Sequence, residues 1–235
     1  VVTANIDIYE RYVQIQTKSS IDTKTIKVLN PKEVVFEGGR ELELDAVSEV
    51  PRYYVCNAYG VCGIYSAPGT AVKEAYDTSG IVTNDRGVTV WLKGNRVSRN
   101  QIMAIKEESV TEQKNSLAVC LDNILRHAGI TRNTEYDLAQ GKTATTILSE
   151  NMTGVQVLDL SGCTLDAVLY YVNQDIPVLA ILEDGEAVLV TGFNEFNVVI
   201  MEPSTGKLYK KGMNDATAWF AENGNHFITY MRTEN

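Results

Sequence analysis

The sequence predicts an α+β protein: helices packed on an antiparallel sheet in the C-terminal half, with small β-rich or α+β modules ahead of it. Three observations carry this expectation. Residues 176–203 hold two apolar runs joined at Asp184-Gly185 and a third after the polar turn Asn194-Glu195, the pattern of three consecutive antiparallel strands. Leu117, Leu121, Ile124, Leu125 and Ala128 fall at i, i+4, i+7, i+8 and i+11, which is one continuous helical stripe. Residues 1–52 instead alternate apolar and polar side chains with period two.

Taken in order, the chain divides into a β-rich module (1–52), a small α+β module (53–108) and a larger unit (109–235). The first has short strands at 6–8, 13–16, 25–28, 34–36 and 42–44, punctuated by Asn30-Pro31 and Gly38-Gly39. It carries no visible chemistry, and a binding or spacer role is its default. In the second module, strands 53–56 and 61–65 form a hairpin. A helix with Ala71, Val72, Ala75 and Tyr76 on its apolar side follows and stops at Gly80. A second hairpin spans 81–91 across the turn 84–87. Trp91 with Tyr53, Tyr54, Tyr59 and Tyr65 reads as the packing of a tyrosine-rich sheet, the alternative being a stacking surface for carbohydrate or peptide. Lys93, Arg96 and Arg99 read as a solvated linker face.

In the third unit a helix runs from Asn115-Ser116 to His127 and ends at Gly129. Shorter helices cover 145–151 and 164–173, the second capped by Thr164, and a strand, a helix and a closing strand occupy 207–210, 215–222 and 227–231. The apolar run at 178–182 has no polar alternation, so its sheet should be covered on both faces. Gly141-Lys142-Thr143 is no phosphate loop, because Tyr136 stands where the pattern needs glycine.

With 235 residues, 44% hydrophobic and 22% charged, the chain can bury a core that folds unaided, and two domains fit better than one. A net charge of −9 and a pI near 4.8 argue against nucleic-acid binding and a polybasic membrane patch. No apolar run approaches the roughly 18–20 residues of a membrane-spanning helix. The chain opens Val1-Val2-Thr3, with neither methionine nor a signal-peptide pattern, and reads as an excised or processed piece. Cys56, Cys62, Cys120 and Cys163 show no C-x-x-C spacing and have just His127 and His226 to join them, so no metal and no cofactor is expected. Cys56 and Cys62 could close a disulfide across a short turn in an oxidising compartment, or stand as two free thiols.

The run 178–206 resembles the second half of the C39-type papain-like peptidases, which include leader-peptide proteases of bacterial exporters. Gly185-Glu186-Ala187-Val188-Leu189-Val190-Thr191-Gly192-Phe193 overlays the segment that carries that family's general-base histidine. Glu202-Pro203-Ser204-Thr205-Gly206 overlays its D-P-x-x-G segment, whose acid orients the histidine. The helix at 115–127 matches the one that carries the nucleophilic cysteine at its N-terminus, where backbone N–H groups and the macrodipole favour a thiolate. The resemblance covers residues 109–235 and implies a papain-like domain. It assigns Ser116 to the nucleophile position, Glu186 to the base position and Glu202 to the orienting-acid position, with Gln113 as an oxyanion candidate closer to Ser116 than the family's usual spacing.

Those substitutions remove the chemistry from the pattern. A carboxylate with a pKa near 4.3 is a poor base for an alcohol at neutral pH, and a second nearby carboxylate raises it only modestly. Cys120 lies one turn beyond Ser116, on the apolar stripe, and reads as an inert core thiol. It becomes the alternative nucleophile if the overlay slips by a turn. Cys163 reads as structural and His226 as a turn or edge residue. The resemblance therefore implies a non-catalytic C39-like domain that binds a peptide or protein, by strand addition in the retained groove, at the surface or outside of a bacterial cell, with an envelope or exporter assembly as its setting. Two other readings stand beside it. One is an active cysteine peptidase or other acyl-transfer enzyme using Cys120 or Cys163 with His127 or His226. The other is a purely structural surface protein whose groove is filled by its own side chains.

Overall fold

Period-two alternation at the N-terminus produces an antiparallel meander, β1 (Thr3–Asp7), β2 (Tyr12–Gln16), β3 (Lys24–Asn30) and β4 (Glu33–Phe36), paired in that order. Of this stretch the computed structural model describes the backbone of the four strands; beyond it, residues 51–60, 62–93 and 103–233 are described in full. The expected strand at 42–44, and Arg96 and Arg99, lie outside the described residues.

A second sheet, ordered β6-β5-β7-β8, is built from β5 (Tyr53–Cys56), β6 (Cys62–Tyr65), β7 (Ile81–Asn84) and β8 (Thr89–Leu92). Its helix α1 (Pro68–Thr78) begins with Pro68, whose missing N–H costs nothing in a first turn. The residue that turns the chain out of α1 is Ser79, in the left-handed region at φ 56°, rather than Gly80. Gly80 serves another need: a Cβ there would lie 2.9 Å from the Cys56 carbonyl oxygen, so the close approach of helix end and strand requires glycine. Cys56 and Cys62 face each other across β5 and β6 and are joined by a disulfide.

The large unit is α+β, with helices packed on a six-stranded antiparallel sheet ordered β13-β12-β11-β10-β14-β9. Its strands are β9 (Val155–Asp159), β10 (Val178–Ile181), β11 (Ala187–Phe193), β12 (Asn197–Glu202), β13 (Lys207–Gly212) and β14 (His226–Arg232). Its helices are α2 (Ser116–His127), α3 (Glu135–Ala139), α4 (Ala144–Asn151), α5 (Leu165–Val172) and α6 (Met213–Glu222). The strands expected at 176–203 are β10 to β12, turning at Gly185 (φ 85°) and at Asn194-Glu195. Every residue of β11 is buried, with α2 and α5 both packed on it, so the strand is covered on both faces. The sequence pattern missed α3 and β9; α3 has only Tyr136, Leu138 and Ala139 as apolar residues in one turn and a half, too few to set a period.

One buried cluster runs from the small sheet into the large unit. It contains Val55, Val72, Ala75, Val82 and Trp91 together with Leu158, Leu165, Val168 and Tyr171. Directed bonds fix the junction: Trp91 Nε1 donates to the Ala167 carbonyl at 3.0 Å and the Tyr171 hydroxyl to the Val90 carbonyl at 3.1 Å. Gln156 on β9 accepts from Asn84 Nδ2 at 3.1 Å and donates to the Tyr53 hydroxyl at 2.9 Å. Tyr53 and Trp91 therefore face the core while Tyr59 is 90% exposed, and the five rings of this module do not share one surface. Lys93 donates to the Tyr76 carbonyl and lies over the Tyr76 ring. Among the described residues no helix is long and apolar enough to cross a membrane.

Candidate functional site

The site is built around the start of α2. Asn115 is its N-cap: extended at ψ 174°, its side chain accepts from the Ala118 N–H at 2.8 Å and satisfies one of the helix's orphan donors. A buried polar cluster holds the approach to this cap. Asp122, fully enclosed, pairs with Lys114 Nζ through one oxygen and accepts from the Thr134 N–H at 2.9 Å through the other, while Thr134 Oγ1 donates to the Ala118 carbonyl. Burying a carboxylate is tolerated only with such partners. No sequence motif announces this cluster, because its members come from a loop, a helix and a second loop.

Ser116 opens the helix and is 2% exposed, and its Oγ accepts a hydrogen bond from the Ala187 N–H at 2.9 Å. Ala187 is the first residue of β11, and Glu186 immediately precedes it. The fold thus sets the start of α2 directly against the Glu186-Ala187 segment, 71 positions away in sequence. Glu186 itself is exposed; its backbone closes the hairpin by donating to Asp184 Oδ1 at 2.9 Å and accepting from the Leu182 N–H at 2.8 Å.

Glu202 ends β12, and the pairing of Leu189 with Met201 carries it to the same end of the sheet as Ala187. Its carboxylate accepts from Thr205 Oγ1 at 2.9 Å and from the Tyr209 hydroxyl at 3.5 Å, so it braces the turn into β13. Burial, with the Glu202 charge beside it, pushes the Tyr209 phenol up to about 12. Gln113 is exposed in a tight turn closed by Thr111 and Lys114, its N–H donating to Thr111 Oγ1.

Both free thiols are buried. Cys120 faces the core of α2, where burial and then the Glu186 charge push its thiol well above the usual range. Cys163 Sγ donates to the Gly69 carbonyl at 3.3 Å, and burial pushes it up to about 12. Both shifts run opposite to what nucleophilic activation needs. His127 is at the far end of α2, roughly 16 Å from Ser116 by helical rise, with Nε2 2.8 Å from the Asp175 carbonyl oxygen. His226 is the exposed first residue of β14, paired with Ile181.

No protein-family model matches the chain, and no curated protein sequence matches it. Among solved structures, the chain is similar to the crystal structure of a protein of Bacillus anthracis described as a C39-like peptidase. The TM-score is 0.47 at 12% identity, covering 58% of this chain and 100% of that one.

Proposed function

We propose that this chain is a non-catalytic protein on a C39-like frame that binds a peptide or protein ligand at or outside the bacterial cell envelope, within an envelope or exporter assembly. The observation that carries the reading is the Ser116–Ala187 bond. It joins the two places where the sequence resemblance calls for nucleophile and base, and the side chains there are a buried hydroxyl and an exposed carboxylate. The Ser116 oxygen is engaged as the acceptor of a backbone bond, and the base position holds no imidazole to take its proton. The Cys56–Cys62 disulfide supports an oxidising compartment.

The test combines a thiol reagent with a peptide screen on the whole chain. Cys120 and Cys163 are expected to alkylate slowly in the folded protein and fast in denaturant, and no peptide is expected to be hydrolysed. Faster alkylation of either thiol in the folded state would replace this reading with an active cysteine peptidase. The near-complete burial of Ser116 also favours a purely structural protein with a self-filled groove. That second reading holds if no extended peptide protects any backbone amide from hydrogen exchange.

A further inference from the structure

A sheet six strands wide has two ends, and here they differ. β9 lies against the small sheet, with Gln156 bonded to Asn84 and Tyr53 and α1 packed on the strand. β13 is the other terminal strand, and among the described residues no strand pairs with its outer edge. An antiparallel strand turns successive residues alternately toward one neighbour and the other. The Leu208 N–H donates to Glu107 Oε1 at 3.0 Å, so Leu208, and with it Lys210, belongs to the set whose N–H and C=O groups point outward.

The charge of this edge runs against that of the molecule. Lys207, Lys210 and Lys211 fall within one six-residue strand of a chain whose net charge is −9. Lys211 lies over the Trp219 ring at 5.1 Å, while Lys207 and Lys210 are exposed. Lysines on an edge strand discourage indiscriminate pairing, and a second β13 laid antiparallel against the first would set lysine against lysine. The group already seated on an outward N–H of this edge is a carboxylate, Glu107.

We propose that the outer edge of β13 is a strand-addition site for an extended acidic segment of a partner protein. This rests on the peptide-binding reading above and moves the ligand from the Ser116 end to the open edge of the sheet. Backbone bonds to Lys210 and to the Leu208 carbonyl hold the segment, the Leu208 N–H being already taken by Glu107, and Lys207 and Lys210 select its charge.

The test uses the whole chain with two short capped peptides, one a repeat of Glu-Glu-Val, which presents glutamates three apart on both faces of a strand as Lys207 and Lys210 are, and the other the same repeat with lysine for glutamate. Anisotropy reads affinity, hydrogen exchange locates the contact, and mass spectrometry reports cleavage. The acidic peptide is expected to bind in preference to the basic one, to protect amides of β13, and to bind more weakly at high salt. The double variant Lys207→Glu/Lys210→Glu is expected to lose roughly tenfold in affinity for the acidic peptide, since two attractive cross-strand pairs become repulsive. Its circular dichroism melt should match that of the parent chain. Equal binding of both peptides, no binding of either, or an unchanged affinity in the double variant overturns the inference. Protection around Ser116 and Glu186 with β13 unaffected also overturns it, while leaving the peptide-binding reading in place. Cleavage of a peptide that protects β13 would instead support the edge site and overturn the non-catalytic reading.

Discussion

Ser116 puts its hydroxyl oxygen to structural use. Its Oγ is the acceptor for the buried Ala187 N–H, so Ser116→Ala leaves that donor without a partner and should cost about 1–3 kcal/mol in a urea unfolding curve. A loss under a few tenths would mean the bond is dispensable and the hydroxyl is held for something else. The buried thiols predict the alkaline behaviour of the chain. Cys163 titrates near 9.0 when unfolded and near 12 when folded, so in that window the unfolded state holds fewer protons than the folded one. Stability is then full below pH 9 and falls as pH rises toward 12. Cys120, Tyr171 and Tyr209 shift in the same direction. The urea midpoint should drop between pH 8 and pH 10.5, with a shallower drop in Cys163→Ala; identical midpoints would contradict the burial of these groups.

At the scale of elements, local chemistry decides where helices and hairpins begin. Thr164 caps α5 by accepting from the Ala167 N–H, and Thr164→Ala should cost about 1 kcal/mol, with Thr164→Asn close to neutral. The β5–β6 hairpin is closed by a disulfide of sequence separation 6, a short loop for which chain entropy gives about 2 kcal/mol. Denaturation with and without a reductant measures this, and no difference would show that the packing of Tyr53 and Val55 holds the hairpin by itself. The α2 stripe and the β10–β12 meander were legible because their apolar residues repeat over two turns or more, or over whole strands bounded by turn residues. β9 was not legible, since Val155, Gln156 and Val157 are all half-buried and the strand has no clean inner and outer set. Nor was the exit from α1, where Ser79 takes the left-handed conformation that glycine would ordinarily supply.

Over the whole molecule, the small sheet and the large unit share one buried cluster, so they should unfold together. Far-UV circular dichroism and the fluorescence of Trp91 and Trp219 should give coincident transitions. Trp91→Ala removes a 2%-exposed ring and its bond to Ala167, and should cost about 3–5 kcal/mol. Two separated transitions in the parent chain would show that the junction at Trp91, Tyr171 and Gln156 contributes little.

The sequence by itself determined the α+β class, the helix that begins at Ser116, the hairpin that turns at Gly185, and the residue types at 116, 186 and 202. Periodicity and turn chemistry act over a few residues, and they are written in order along the chain. Tertiary structure decided that Ser116 meets Ala187, that Asp122 is enclosed by Lys114 and Thr134, and that Trp91 docks on α5. It also decided that β9 lies against the small sheet while, among the described residues, no strand pairs with the outer edge of β13. Each of these joins residues distant in sequence, and burial there is set by what the rest of the chain brings alongside.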